Sequence, residues 1–168
     1  MLFAAFIMTA VKSQAQTSDA GKWRLGFGVE GGIPTGDIKG YSNYELGGTA
    51  RLQYRASQNL YLTFTSGYYN FFAKNVTIAG TNFVAKPDDM GIIPVKAGVK
   101  TFLGQHFYLA GEAGAGFETP GGPVKLILSP GFGYATRSWE AGVRYENFWT
   151  NNSNFGTVAL RIAYGFDL

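Results

Sequence analysis

Between Ile93 and Phe117 the chain reads IPVKAGVKTFLGQHFYLAGEAGAGF, two alternating runs that meet at Gly104, Gln105 and His106. Side chains alternate across a strand with a period of two, so the stretch specifies a β-hairpin with a three-residue turn. In the first run Ile93, Val95, Ala97, Val99 and Leu103 share one face, and Lys96, Gly98 and Lys100 share the other. In the second, Phe107, Leu109, Ala113, Ala115 and Phe117 oppose Tyr108, Glu112, Gly114 and Gly116. With Gln105 as the pivot, Gly98 faces Glu112, and the carboxylate lies diagonally within reach of both lysines. One face is apolar and the other carries charges and glycines; pattern alone allows either to point inward.

The same alternation runs through the chain. Strands are predicted over residues 23–33, 45–55, 60–72, 125–137, 139–149 and 155–168, which with the two of the hairpin make eight of about 11 to 14 residues each. No window shows the i, i+3, i+4, i+7 spacing of an amphipathic helix. Tight turns at 56–59, at 104–106 and near Ser138 alternate with longer loops at 34–44, 73–89, 119–124 and 150–154. Short turns on one side and longer loops on the other, with an even strand number, describe an all-β, eight-stranded antiparallel up-and-down transmembrane β-barrel. Pro94 and Pro130 fall inside strands of a sheet that has no free edge, so each is expected to mark a bulge or a strand end.

Charge gives the faces their identity. Beyond residue 15 there are 13 basic residues (14 less Lys12) and 11 acidic ones. Eight lie in loops or the N-terminal tail; the other sixteen lie in seven strands and share one parity within each. The resulting polar face carries Glu30, Arg51, Arg55, Lys96, Lys100, Glu112, Glu140, Arg144 and Arg161 among glycines, a composition that fits the narrow, side-chain-filled lumen of an eight-stranded barrel. The apolar face places Trp23, Tyr54, Tyr68, Phe107, Trp139, Trp149 and Phe166, with Phe117 and Phe155, near strand ends, as the aromatic girdles of a bilayer-spanning barrel require. A soluble barrel of lipocalin type would reverse these assignments.

Residues 1–15 are expected to be a secretory signal: an apolar run, Met1 to Val11, precedes Ser13-Gln14-Ala15, whose small residues at −3 and −1 suit cleavage after Ala15. No lysine or arginine precedes the run, so the leader is expected to begin upstream; residues 16–168 form the barrel domain. The absence of cysteine excludes disulfides and thiolate chemistry. A pI near 9.1 arises without any cluster of basic residues, so nucleic acid is not an expected partner.

Over residues 16–168 the chain resembles the small eight-stranded outer-membrane barrels of Gram-negative bacteria, the OmpX-like and opacity-like group. The resemblance is carried by Ile93-Pro94-Val95-Lys96-Ala97-Gly98-Val99-Lys100, by Phe107-Tyr108-Leu109-Ala110-Gly111-Glu112-Ala113-Gly114, and by the end Tyr164-Gly165-Phe166-Asp167-Leu168. It implies the bacterial outer membrane as location, with outer-membrane lipid and lipopolysaccharide as surroundings. It also implies the barrel-assembly machinery as a partner in biogenesis, although the terminal aromatic which that machinery reads is replaced here by Leu168, with Phe166 two residues earlier. Members of the group have structural, adhesive, defensive and small-solute roles, so the likeness assigns none of them.

A lipid-modifying hydrolase would need a nucleophile beside a base, and His106, the single histidine, lies in a predicted periplasmic turn with no serine next to it. No enzyme activity, cofactor or metal is therefore expected. A pore for small or hydrophobic solutes is the second alternative, favoured by the glycines that thin the lumen wall. The leading expectation is a structural or surface-interaction barrel that meets a surface ligand through the loops 34–44 and 73–89, in or beside which lie Tyr41, Tyr44, Phe71, Phe72 and Phe83.

Overall fold

The computed structural model describes residues 22–77, 84–85, 87–150 and 154–168. The expected signal at 1–15, the start of the barrel domain and Phe83 lie outside the described residues. Eight long strands form the barrel: β1 (Trp23–Gly36), β2 (Ser42–Arg55), β3 (Leu60–Ala73), β6 (Met90–Leu103), β7 (Phe107–Thr119), β8 (Lys125–Ala135), β9 (Trp139–Trp149) and β10 (Asn154–Asp167). Between β3 and β6 two short strands, β4 (Val76–Thr77) and β5 (Val84–Ala85), pair with each other. A single 3-10 turn, Asp37–Gly40, follows β1.

Each long strand pairs antiparallel with its neighbours in the order β1-β10-β9-β8-β7-β6-β3-β2, and β1 returns to β10 from Arg24↔Asp167 to Gly36↔Phe155. The circuit is closed and leaves no edge. In the β6–β7 hairpin Gly98 stands opposite Glu112, the register that a pivot at Gln105 dictates. The strands run further toward the loop end than expected. Residues 34–36 and 42–44 of the anticipated first loop are strand, leaving 37–41 as the connection, and a register shift sits between Ser42 and Tyr44 on β2.

The two prolines correct a second expectation, since neither makes a bulge or ends a strand. The β3–β6 ladder skips between Ser66↔Val95 and Tyr69↔Ile92, and the β8–β9 ladder skips between Leu128↔Asn147 and Gly131↔Arg144. Register is unchanged across both gaps, while the opposite ladders run through Pro94↔Gly116 and Gly111↔Pro130. A proline removes one N–H and so weakens pairing on one side only; inward and outward assignments downstream are untouched.

Curvature comes from close approach at two glycines of the hairpin. A Cβ at Gly98 would lie 2.7 Å from the Glu112 Cα, and one at Gly114 would lie 2.7 Å from the Lys96 Cα. Only glycine lets the two backbones come this near on the inner face of so small a barrel.

Outside, the apolar parity is exposed on every long strand, as at Val29 (68%), Phe132 (61%) and Leu160 (49%). Aromatic residues bound this band. At the turn end Trp23 packs on Tyr54 at 4.8 Å, Phe107 on Tyr134 at 5.3 Å and Trp139 on Tyr164 at 5.2 Å between ring centroids, with Phe166 beside them. Toward the loop end stand Tyr68, Phe117 and Trp149, with Tyr44 stacked on Phe72 at 4.7 Å. From Trp139 to Trp149 is ten residues of one strand, about 33 Å along the strand and about 25 Å along the axis at a typical barrel tilt, the height of an outer-membrane apolar band. Phe155 departs from its expected place: it lies on the inner parity of β10 and is buried.

If this face meets hydrocarbon, Val29→Arg should lower the stability of the barrel folded into phospholipid vesicles by about 2–4 kcal/mol, and Val29→Leu by less than about 0.5 kcal/mol. Reversible urea unfolding followed by tryptophan fluorescence measures both; equal stability of the two variants would place the face in water.

Candidate functional site

Inside the barrel the polar parity of six strands converges on a closed circuit of ion pairs. Glu140 on β9 takes Arg51 Nη1 of β2 at 2.9 Å, and Arg51 Nη2 reaches Glu112 of β7 at 3.0 Å. Glu112 lies 3.7 Å from Lys96 of β6, and Lys96 pairs in turn with Glu146 of β9. Glu146 meets Arg144 at 3.2 Å, Arg144 pairs with Glu30 of β1, Glu30 lies 3.2 Å from Arg161 of β10, and Arg161 returns to Glu140 at 3.2 Å. Four carboxylates and four cations thus alternate around a ring, and Lys100 joins it at Glu140 at 2.5 Å. All nine residues are buried. Hydroxyls complete their shells: Thr63 and Thr65 donate to Glu112 at 3.0 and 2.7 Å, Thr49 donates to Glu30 at 2.6 Å, and Tyr108 donates to Glu140 at 3.1 Å. The Tyr69 hydroxyl accepts from Arg144 at 2.8 Å and from Lys96 at 3.1 Å. Most of these contacts join strands that are not neighbours in the sheet, so they define what fills the lumen.

Toward the loop end the filling changes character. Phe71, Phe148 and Phe155 meet edge-on and stacked at centroid distances of 4.9 to 5.9 Å, with Tyr69, Ile92 and Ile127 below them and Ile38 of the 3-10 turn above. This apolar plug fills the loop end of the lumen, beside the charged network expected there. A small cavity of about 20 Å³ lies beside Arg51, Glu112 and Arg144, room for about one water. The loops above are tied together. The Lys74 amide donates to the Tyr41 carbonyl at 2.7 Å, Lys74 Nζ to the Lys39 carbonyl at 2.5 Å, and the Ala73 amide to Asp89 at 3.0 Å. The Tyr41 hydroxyl bonds the Asp88 carbonyl; partial burial, then the nearby Asp88 and Asp89 carboxylates, push that phenol above its ordinary range and keep it a donor.

Of the nine charged residues expected in the lumen, eight belong to this ring and its Lys100 branch. Arg55 does not, because it ends β2 and is exposed at the turn-end mouth. Lys100 turns to Glu140, so Glu112 keeps only Lys96 of the two hairpin lysines as an ion-pair partner. His106 is exposed in the turn, its ring 5.0 Å from Tyr134 and Nδ1 3.2 Å from the Ala135 carbonyl. Among the described residues no group of three or more His, Asp or Glu side chains gathers in a way that could hold a metal ion.

Charge inside and apolar surface outside is the reverse of a soluble barrel, and the lipocalin alternative fails on it. No protein-family model matches the chain, and no curated protein matches it. Solved structures do. Ail, the attachment invasion locus protein of Yersinia pestis, superposes with a TM-score of 0.62 over 88% of this chain and 99% of its own at 16% identity. The N-terminal β-barrel domain of Pseudomonas aeruginosa OprF gives 0.61 over 87% and 99% at 11% identity. A de novo designed transmembrane β-barrel gives 0.53 over 89% and 100% at 17% identity. The chain has the fold of the small outer-membrane barrels.

Two members of this outer-membrane barrel's interior escaped selection from the sequence as site residues. Glu146 completes the ring, and Glu45 is fully buried where the ring meets the plug, beside Thr157 and Gly32. Both carry the inward parity of their strands, so the signal was present. The plug residues Ile92, Ile127 and Phe148 share parity with Lys96, Lys125 and Glu146, and extending each polar face toward the loops finds them.

Removing one partner of a buried pair strands the other charge. Arg51→Met should therefore destabilise the barrel by about 3–5 kcal/mol. Adding Glu112→Gln should recover part of that loss, with a coupling of about 1–3 kcal/mol in a double-mutant cycle of urea unfolding. Additive costs would mean that the ring does not act as a unit.

Proposed function

We propose that the protein is a closed barrel of the bacterial outer membrane that works through its presence in the bilayer and through its outer rim, in a structural or surface-interaction role. The observation that supports this reading is the plug of Phe71, Phe148 and Phe155, buried side chains that fill the lumen above the ion-pair ring. Contact at the rim would go through Tyr41, Tyr44 and Phe72 rather than through charge, because Lys39 and Lys74 are interspersed with Asp37, Asp88 and Asp89. A mixed-sign rim does not suit a polyanion. One crystal structure of Ail holds the heparin analogue sucrose octasulfate; at 17% identity that likeness carries the fold and not the ligand. The reading is non-catalytic: His106 sits at the turn end, and the four carboxylates of the ring are engaged with cations.

Planar-bilayer recording tests the closed state. The native barrel should give no unitary steps, whereas Phe148→Ala combined with Phe155→Ala should produce them; steps from the native protein would favour the pore. Orientation is tested in cells that express the full chain, which has no cysteine of its own. A polyethylene-glycol maleimide too large for porins should label Lys39→Cys and spare Gln58→Cys, and the opposite pattern would put the proposed contact surface in the periplasm.

A further inference from the structure

The two ends of the barrel are not equivalent. Where the loop end is filled by the apolar plug, the turn end opens into a cavity of about 450 Å³, within the size range of small-molecule sites. On its inner side it reaches the ion-pair ring at Glu140. Lys22, Arg24, Arg55 and Arg137 line it against two acids, Glu140 and Asp167. Both acids are engaged. Glu140 is held by Lys100, Arg51 and Arg161, and Asp167 lies 3.6 Å from Arg24, which also donates to the Arg137 carbonyl. Among the described residues of the wall, lysine and arginine thus outnumber the acids four to two, in a recess where low-dielectric walls concentrate the field. One side is aromatic, with Tyr61 edge-on to Phe102 at 5.5 Å, and the side-chain amides of Gln58 and Asn59 lie at the lip.

We propose that this vestibule is a binding site for a phosphate group carried on a small hydroxylated body. Arginine supplies planar, paired donors that match phosphate oxygens. Amides and ring faces suit the hydroxylated part, and the volume admits a body the size of a monosaccharide. A soluble sugar phosphate and the glycerol-phosphate headgroup of a lipid in the adjoining leaflet share this chemistry. The inference rests on the membrane-barrel reading, which puts the turn end in water beside a lipid headgroup layer.

Nuclear magnetic resonance of the full barrel tests it in two arms, one in non-ionic detergent titrated with glucose 6-phosphate and one in phosphatidylcholine nanodiscs with and without phosphatidylglycerol. Saturable shifts at Tyr61, Phe102 and the arginine side chains are expected in at least one arm. The arm that responds names the source. Glucose and sodium chloride at equal ionic strength should not reproduce the shifts, and Arg55→Gln with Arg137→Gln should weaken binding at least tenfold. No saturable change in either arm, shifts matched by glucose or salt, or affinity unchanged in the double variant would overturn the site. Retention of the heat-modifiable gel band reports the barrel separately, so a variant that keeps the band and loses the shifts has lost binding and not fold. A native chain that lacks the band and stays soluble without detergent would overturn the membrane reading itself.

Discussion

Within hydrocarbon a backbone N–H or C=O has no water to bond, and each one left unpaired costs several kcal/mol. The pairing of β1 with β10 meets this constraint by removing the last free edge, and the rest of the structure follows from it. Closure divides the side chains between two environments, lipid outside and a narrow lumen inside, with the alternation of each strand deciding which residue goes where. The prolines show how much the closed sheet tolerates. Pro94 and Pro130 each open a gap in one ladder while the neighbouring ladder holds register, so the division of faces survives.

Charge placed inside such a barrel has to satisfy itself. Desolvating nine ionised side chains is expensive, and mutual attraction offsets the cost only when the geometry is good and the remaining donors and acceptors are met. The alternation of four carboxylates and four cations around one ring, with hydroxyls of Thr49, Thr63, Thr65, Tyr69 and Tyr108 bonded to it, meets most of that condition, while Arg144 Nε and Nη1 and Arg161 Nη2 are left without a hydrogen-bond partner among the described residues. The ring's main consequence is specificity. Its links run between β2 and β7, between β2 and β9, and between β6 and β9, so a strand displaced by one residue would turn a charge to lipid and leave its partner alone.

Filling is graded along the axis, and the grading separates the ends. Aromatic and aliphatic side chains fill the lumen under the 3-10 turn, while the tight turns border a recess lined by lysine and arginine at the other end. A designed transmembrane barrel shares this architecture over its whole length, as expected where a fold answers to the bilayer and function lies in what is grafted on it. What distinguishes this chain lies in its filling, its rim and its vestibule.

The hairpin register at Gly98 and Glu112, the strand count, the sides on which turns and loops fall and the common parity of the strand charges could all be read from the chain, because a period of two is written residue by residue. Strand ends are the least legible part: polar residues such as Ser42 and Asn154 look like loop but pair as strand, Phe71 reads as a residue beside a loop, and Phe155 reads as part of the outer girdle, yet both phenylalanines are buried inside. The sequence by itself thus determined the strands, their alternation and the two faces, since these are local. Which carboxylate meets which cation across the lumen, that Arg55 stands outside the ring, and that an apolar plug fills one end while the other opens into a cavity are decided only by the tertiary structure, because each depends on how eight separate strands are brought around one axis.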